Sequence, residues 1–351
     1  MSTNRRSPWL FVIVGVLTIG AAFFIVRHAA EARRLADEAG ALDLRFAAAG
    51  LLISAAAMFN RGLLNRAAHR AVGLDAGAGA MTRTAAVGFA AQKMIKSAGA
   101  AGLAVFVRDG RRRGHAPGSV AAACVLSAVS SFVALGILLL SAIGVLTLTD
   151  RMTGWWVAAA AGFGLYALAV VVIGVALVRH RSATVRLWSR ARHTWSRLTR
   201  RPSRRRVDTV PDKMFEALDA AWARPGALGW LLLHGVASKM LGALMLVAAV
   251  ASVGLPVSPA GAIVIYATAL AASMVTIVPG GVGTVEGSTA ALLVASGASV
   301  AAATLAVVLF RFFDLLVPVI TGALAARRPP EPPLAAIEPL PAAPAALAAA
   351  A

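Results

Sequence analysis

Apolar runs of membrane-crossing length recur along this chain, and its charges collect between them. A hydrocarbon core of about 30 Å needs about 20 consecutive apolar residues in a helix. Residues 9–26, 119–148, 155–178, 227–253 and 299–325 reach or approach that length, and a further run begins near Phe46 and fades at Arg61, Arg66 and Arg70. Hydrophobic residues make up 59% and charged residues 14%, against about 45–50% and about 25% in a soluble domain. Most of such a surface must face lipid. The expected fold is an all-α polytopic membrane protein with about six full spans.

The formal net charge of +19 falls in the loops, with no motif of a nucleic-acid module beside it. Basic loops next to spans set orientation, so no nucleic-acid partner is expected. Cys124 is the sole cysteine, which excludes an intrachain disulfide or a thiolate cluster. The six histidines lack metal-ligand spacing, and no cofactor or metal is expected. Arg outnumbers Lys 30 to 4 in an Ala-rich chain, a bias of GC-rich bacterial genomes. The expected location is a bacterial inner membrane.

Segment 179–206 holds eleven Arg and no acid, and the positive-inside rule places it in the cytoplasm. From a cytoplasmic N-terminus an even number of crossings must precede it, yet five apolar candidates do. The flawed one is 84–107, which carries Lys93 and Lys96, then Ala98-Gly99-Ala100-Ala101-Gly102, and ends in the basic run 108–113. It reads as a re-entrant hairpin opening from the cytoplasm. The stretch 259–297 reads as a second hairpin from the other side, broken at Pro279-Gly280-Gly281-Val282-Gly283. Opposed hairpins suggest an inverted repeat. Ala98–Gly102 can be laid on Pro279–Gly283, and Ser119–Ala123 then falls on Ser299–Ala303 with nearly the same offset. Residues 1–326 are expected to form the membrane domain, with 327–351 a disordered Pro/Ala-rich cytoplasmic tail.

Three features bear on function. In Pro279 to Gly287, proline stops a helix, glycines turn the backbone, and the helix restarting at Thr284 presents N–H groups to an anion. The plainer alternative is a tight turn with Glu286 as a cap. Lys239 and Arg311 each sit thirteenth of 27 residues in their apolar runs, with Asp314 one turn after Arg311. Charges at that depth normally face an interior or an aqueous path. Glu286 and Asp314 either neutralise Lys239 and Arg311 as a structural network, or, with Lys93 and Lys96 added, leave an excess of positive charge for an anionic headgroup. Thirdly, Val185, Trp188, Arg192, Trp195 and Leu198 repeat at helical spacing, which fits either a helix on an anionic leaflet or a solvated basic loop. No catalytic constellation stands out, so the chain is not expected to be an enzyme; His234, lone near a span, is more often structural than a base.

The C-terminal stretch resembles the transmembrane region of lysylphosphatidylglycerol synthases, a flippase-like membrane family. Its Pro-Gly-Gly-x-Gly-x-x-Glu turn, short helix and final span with a central Arg are matched here by Pro279–Gly283, Glu286 and Arg311. The first-half counterpart is degraded to Ser97–Gly102 without proline, with Arg108 and Asp109 as loose equivalents. The resemblance implies handling of phospholipids or polyprenyl-linked lipids. The fused aminoacyl-transferase domain is not expected, since a Pro/Ala tail follows Ala325, and neither is lipid aminoacylation. The expected function is a flippase-like lipid transporter, binding an anionic headgroup through Pro279, Gly280, Gly281, Gly283, Thr284, Glu286, Arg311, Asp314, Lys239 and Lys96. The rival expectation is a non-transporting scaffold for a cell-envelope enzyme.

Overall fold

The computed structural model describes residues 42–94, 99–148, 180–182, 185–186, 189–190, 210–275 and 283–327. Among the described residues every regular element is helical. In chain order the principal helices are α1 (Leu44–Ala71), α2 (Ala78–Met94), α3 (Ala100–Arg112), α4 (Pro117–Leu148) and α5 (Val210–Trp222). They continue as α6 (Pro225–Ser252), α7 (Pro259–Val275), α8 (Thr284–Ala295) and α9 (Val300–Arg327). Four of them, α1, α4, α6 and α9, are long and apolar enough to cross a membrane. The spans expected at 9–26 and 155–178, and the tail beyond 327, lie outside the described residues.

The order span, hairpin, span occurs twice, as α1–α4 and as α6–α9. The hairpin arms match in length, 17 and 13 residues in α2 and α3 against 17 and 12 in α7 and α8. The two sets have opposite sense. At one end Asp43 N–H donates to the Ser252 carbonyl at 2.9 Å, and at the other Arg224 Nη1 donates to the Ala71 carbonyl at 3.1 Å. So α1 finishes where α6 begins, and the hairpins open from opposite ends. Gly99 (φ 89°) and Gly283 (φ 86°) each stand immediately before the second hairpin arm, in left-handed backbone that glycine takes at little cost. This equivalence lies three residues from the sequence alignment, which set Gly102 opposite Gly283. The backbone turn, not the run of small residues, marks the repeat.

The second span, expected to fade at Arg61, Arg66 and Arg70, runs as one helix to Ala71. Arg61 and Arg66 find partners inside the bundle. Arg61 lies over the Phe89 ring of α2 at 4.0 Å, and Arg66 Nε donates to the Ala76 carbonyl at 3.0 Å. A charge satisfied on the inner face does not stop a helix.

In lipid, helices gain little from burying apolar surface against one another, so close packing and interhelical hydrogen bonds must hold the bundle. On the inner face of α1, Asn60 donates to the His234 carbonyl at 2.9 Å, and its amide oxygen accepts from His234 Nδ1 at 2.8 Å. That reciprocal pair clamps α1 to α6 and gives His234 a structural role. The Ser130 hydroxyl ties α4 to α6 through the Leu231 carbonyl at 2.9 Å. At the Arg-rich end, Arg181 makes a two-pronged bridge to Asp219 of α5 at 2.8 and 2.6 Å. The hydrogen bond from Arg181 holds the Asp219 carboxyl below its ordinary range, so the pair is charged at neutral pH.

The last span is not a uniform α-helix. Phe312–Leu316 form a π turn within α9. Such a turn accommodates an extra residue and breaks the i→i−4 ladder. The Ser54 hydroxyl of α1 donates to the freed Phe313 carbonyl at 2.6 Å, in a buried setting. Gly50, one turn earlier, leaves room for the Phe313 ring. Ser54→Ala strands that carbonyl and is expected to cost about 1–3 kcal/mol. Thermal unfolding in detergent checks it, and an unchanged midpoint would mean that α9 keeps its π turn unaided.

Candidate functional site

The two halves bring their charged residues to one place in the bundle. On α9, Arg311 sits just before the π turn and Asp314 inside it. Arg311 Nε pairs with Glu286 Oε1 of α8 at 2.7 Å, and its Nη1 lies 3.8 Å from Asp314 Oδ2. The other oxygen of Glu286 accepts from the Gly283 N–H at 2.7 Å. Glu286 is therefore both the cap of α8 and the partner of Arg311. It supplies its own negative charge to the helix N-terminus, where the macrodipole favours it. The side chains of Arg311, Asp314 and Glu286 are 12%, 24% and 31% exposed, so the network is partly buried, most deeply at Arg311.

Three further cations surround this network. Arg61 comes from α1, Lys93 from α2 and Lys239 from α6. Asp314 acts electrostatically on all three. Lys93 also feels Arg311 and Glu286, and Lys239 feels Arg61 and Lys93. Among the described residues no carboxylate lies within 4.0 Å of Arg61, Lys93 or Lys239. Arg61 and Lys93 instead share the Phe89 ring, at 4.0 and 5.2 Å from its centroid. A desolvated cation over an aromatic face gains about 2 kcal/mol, which eases burial without neutralising the charge. The Arg61 Nε is buried with no hydrogen-bond partner among the described residues. Among the described residues, four cations thus face two carboxylates.

Of the expected site residues, the structure gathers Gly283, Glu286, Arg311, Asp314 and Lys239 around one centre, and Thr284 opens α8 beside Gly283. Pro279, Gly280, Gly281 and Lys96 lie outside the described residues. The loose first-half equivalents do not join them. Arg108 is exposed, and Asp109 is engaged by Arg113 Nε at 2.9 Å and by the Thr84 hydroxyl at 3.1 Å. Arg61 and Phe89 were missed. Arg61 stands at the edge of an apolar run, where it reads as an end signal, and nothing in the sequence ties Phe89 to it. The signal that was available for Arg61 is that apolar Gly62, Leu63 and Leu64 resume directly after it.

The model of the lysylphosphatidylglycerol synthase TM region matches residues 11–322. The chain belongs to that family. The match spans both hairpins and the whole charge cluster, and it makes this chain a multi-pass membrane domain, in agreement with the four membrane-length helices among the described residues. No curated protein matches the chain. Within the family domain, Gly283, the glutamate three residues after it and the arginine of the final span form one hydrogen-bonded and ion-paired unit rather than separate signals.

Proposed function

We propose that this family domain binds the headgroup of an anionic phospholipid or polyprenyl-phosphate-type lipid at its charge cluster and moves it between leaflets as a flippase-like transporter. The excess of cations over carboxylates in the cluster, counted among the described residues, carries this reading. Unpaired charge at membrane depth costs about 2.5–3.5 kcal/mol or more by insertion scales, and such residues usually mark a substrate path. A phosphate supplies the missing negative charge. Arg61 suits it through the planar fork of its guanidinium, while Lys93 and Lys239 act as point charges. Arg311 is bound to Glu286 and Asp314, so its first task is to hold α8 and α9 in place. Nothing in the reading calls for catalysis or a cofactor, and the Arg-rich segment is assigned to the cytoplasmic, anionic leaflet.

Mass spectrometry of lipids co-purifying with gently extracted wild-type protein and with Arg61→Ala tests this. An anionic lipid enriched in the wild type should fall about tenfold in the variant, as expected for loss of one charge-assisted contact. Equal, bulk-like lipid in both would refute the headgroup site. It would favour a scaffold for an envelope enzyme, whose partner should then be lost on deleting residues 180–205.

A further inference from the structure

A groove of about 310 Å³ runs between α4, α6 and α7. Its α4 wall is a stripe from Ala134 to Val145 at helical spacing, about 16 Å long at about 1.5 Å per residue. Leu138, Ala142 and Val264 form a buried floor, while Ile137, Met240 and Val145 form an exposed rim. Among the described lining residues two are polar, Ser141 and Lys239. The Ser141 hydroxyl is spent on the Ile137 carbonyl of its own helix at 2.9 Å. That leaves Lys239, which also belongs to the charge cluster through Arg61, Asp314 and Lys93. The groove and the cluster therefore meet at one side chain.

The groove also has a direction. The Arg-rich segment is bridged to α5 by Arg181 and Asp219, and α5 leads directly into α6 at Pro225. The start of α4 lies at the same end, since a Cβ on its Gly118 would meet Lys213 and Met214 of α5. Lys239 is in the middle of α6, the stripe from Ala134 to Val145 is in the second half of α4, and Ala260, Ile263 and Val264 are in the first turns of α7. The groove thus extends from mid-depth towards the end away from the Arg-rich segment.

We propose that this groove holds one alkyl chain of an anionic membrane lipid whose headgroup rests on Lys239 and the cluster, with the lipid reaching the site from the leaflet opposite the Arg-rich segment. Charge complementarity selects that occupant. The walls are aliphatic, the available polar group is a cation without a carboxylate partner among the described residues, and the volume is at the small end of ligand pockets, about 300–1,000 Å³, which suits a slender chain. The inference rests on the headgroup reading above.

The test uses the full chain in phosphatidylcholine vesicles containing phosphatidylglycerol, with a photoreactive phenylalanine analogue replacing Ile137 or, separately, Ile263. Phosphatidylglycerol adducts should exceed their share of the bilayer at both positions. They should fall about tenfold on Lys239→Gln, the effect of losing one charge-assisted contact. Capture of both lipids in bulk proportion, of the chain's own segment 155–178, or of a second copy would overturn the groove. Retention of co-purifying anionic lipid by Arg61→Ala removes the headgroup reading, whereas its loss there with no lipid captured at Ile137 or Ile263 removes the groove alone.

Discussion

Arg311→Ala is expected to cost about 3–5 kcal/mol of stability, the effect of deleting one partner from a largely buried ion pair. The side chain is 12% exposed and faces two carboxylates, Glu286 at 2.7 Å and Asp314 at 3.8 Å. Its removal takes from Glu286 and Asp314 the cation paired with them within 4.0 Å among the described residues and frees the restraint between α8 and α9. Glu286→Gln should be milder, because the amide keeps an oxygen for either Arg311 or Gly283 and relieves only one charge. The double variant should then be less damaged than the sum of the two, with a coupling of about 0.5–3 kcal/mol. Unfolding of detergent-solubilised protein, read as midpoint shifts across the four proteins of the cycle, decides it. Additive effects would show that Arg311 and Glu286 do not act as a pair.

Gly322→Leu should be similarly severe for a steric reason. A Cβ at Gly322 would run into the backbone carbonyl of Ala86 and come within 2.7 Å of the Ala90 Cβ, both on α2. Backbone cannot swing away as a side-chain tip can, so α2 and α9 must separate. Overpacking typically costs about 1–3 kcal/mol, and a leucine here should reach or pass the upper figure. The displaced helix carries Phe89 and Lys93, so under the proposed headgroup reading co-purifying anionic lipid should also drop. Gly287→Leu is the control, since nothing among the described residues lies within 4 Å of a Cβ placed there. It should leave the unfolding midpoint close to wild type. Equal behaviour of the two variants would mean that α2 and α9 do not pack as described.

The long helices and the two hairpins were legible because span length and charge placement follow directly from the cost of exposing polar groups to hydrocarbon. The same physics singled out Lys239, Glu286, Arg311 and Asp314, as charges that lipid would not tolerate unless the protein covered them. Arg61 escaped because a charge near the edge of an apolar run has two meanings, the end of a span or an inward-facing side chain. Only the neighbour across the interface distinguishes them, and that neighbour is Phe89, 4.0 Å away on another helix. The π turn at Phe312–Leu316 had a local signal in Pro318, which offers no N–H to the carbonyls before it. Its partner was hidden, since the Phe313 carbonyl is met by Ser54 of α1, more than 250 residues earlier in the chain.

By itself, then, the sequence determined the four membrane-length helices among the described residues, the glycine that precedes the return arm of the second hairpin, and four of the buried charges that demand an explanation. These are local consequences of hydropathy, backbone freedom and the desolvation of ions. The tertiary structure alone decided that Glu286 turns back on its own helix while pairing with Arg311, and that Arg61, Lys93 and Lys239 converge from three helices around Asp314. It also decided that an apolar groove ends at Lys239. The pairing of charges depends on distances between helices far apart in the chain, and no local pattern encodes those distances.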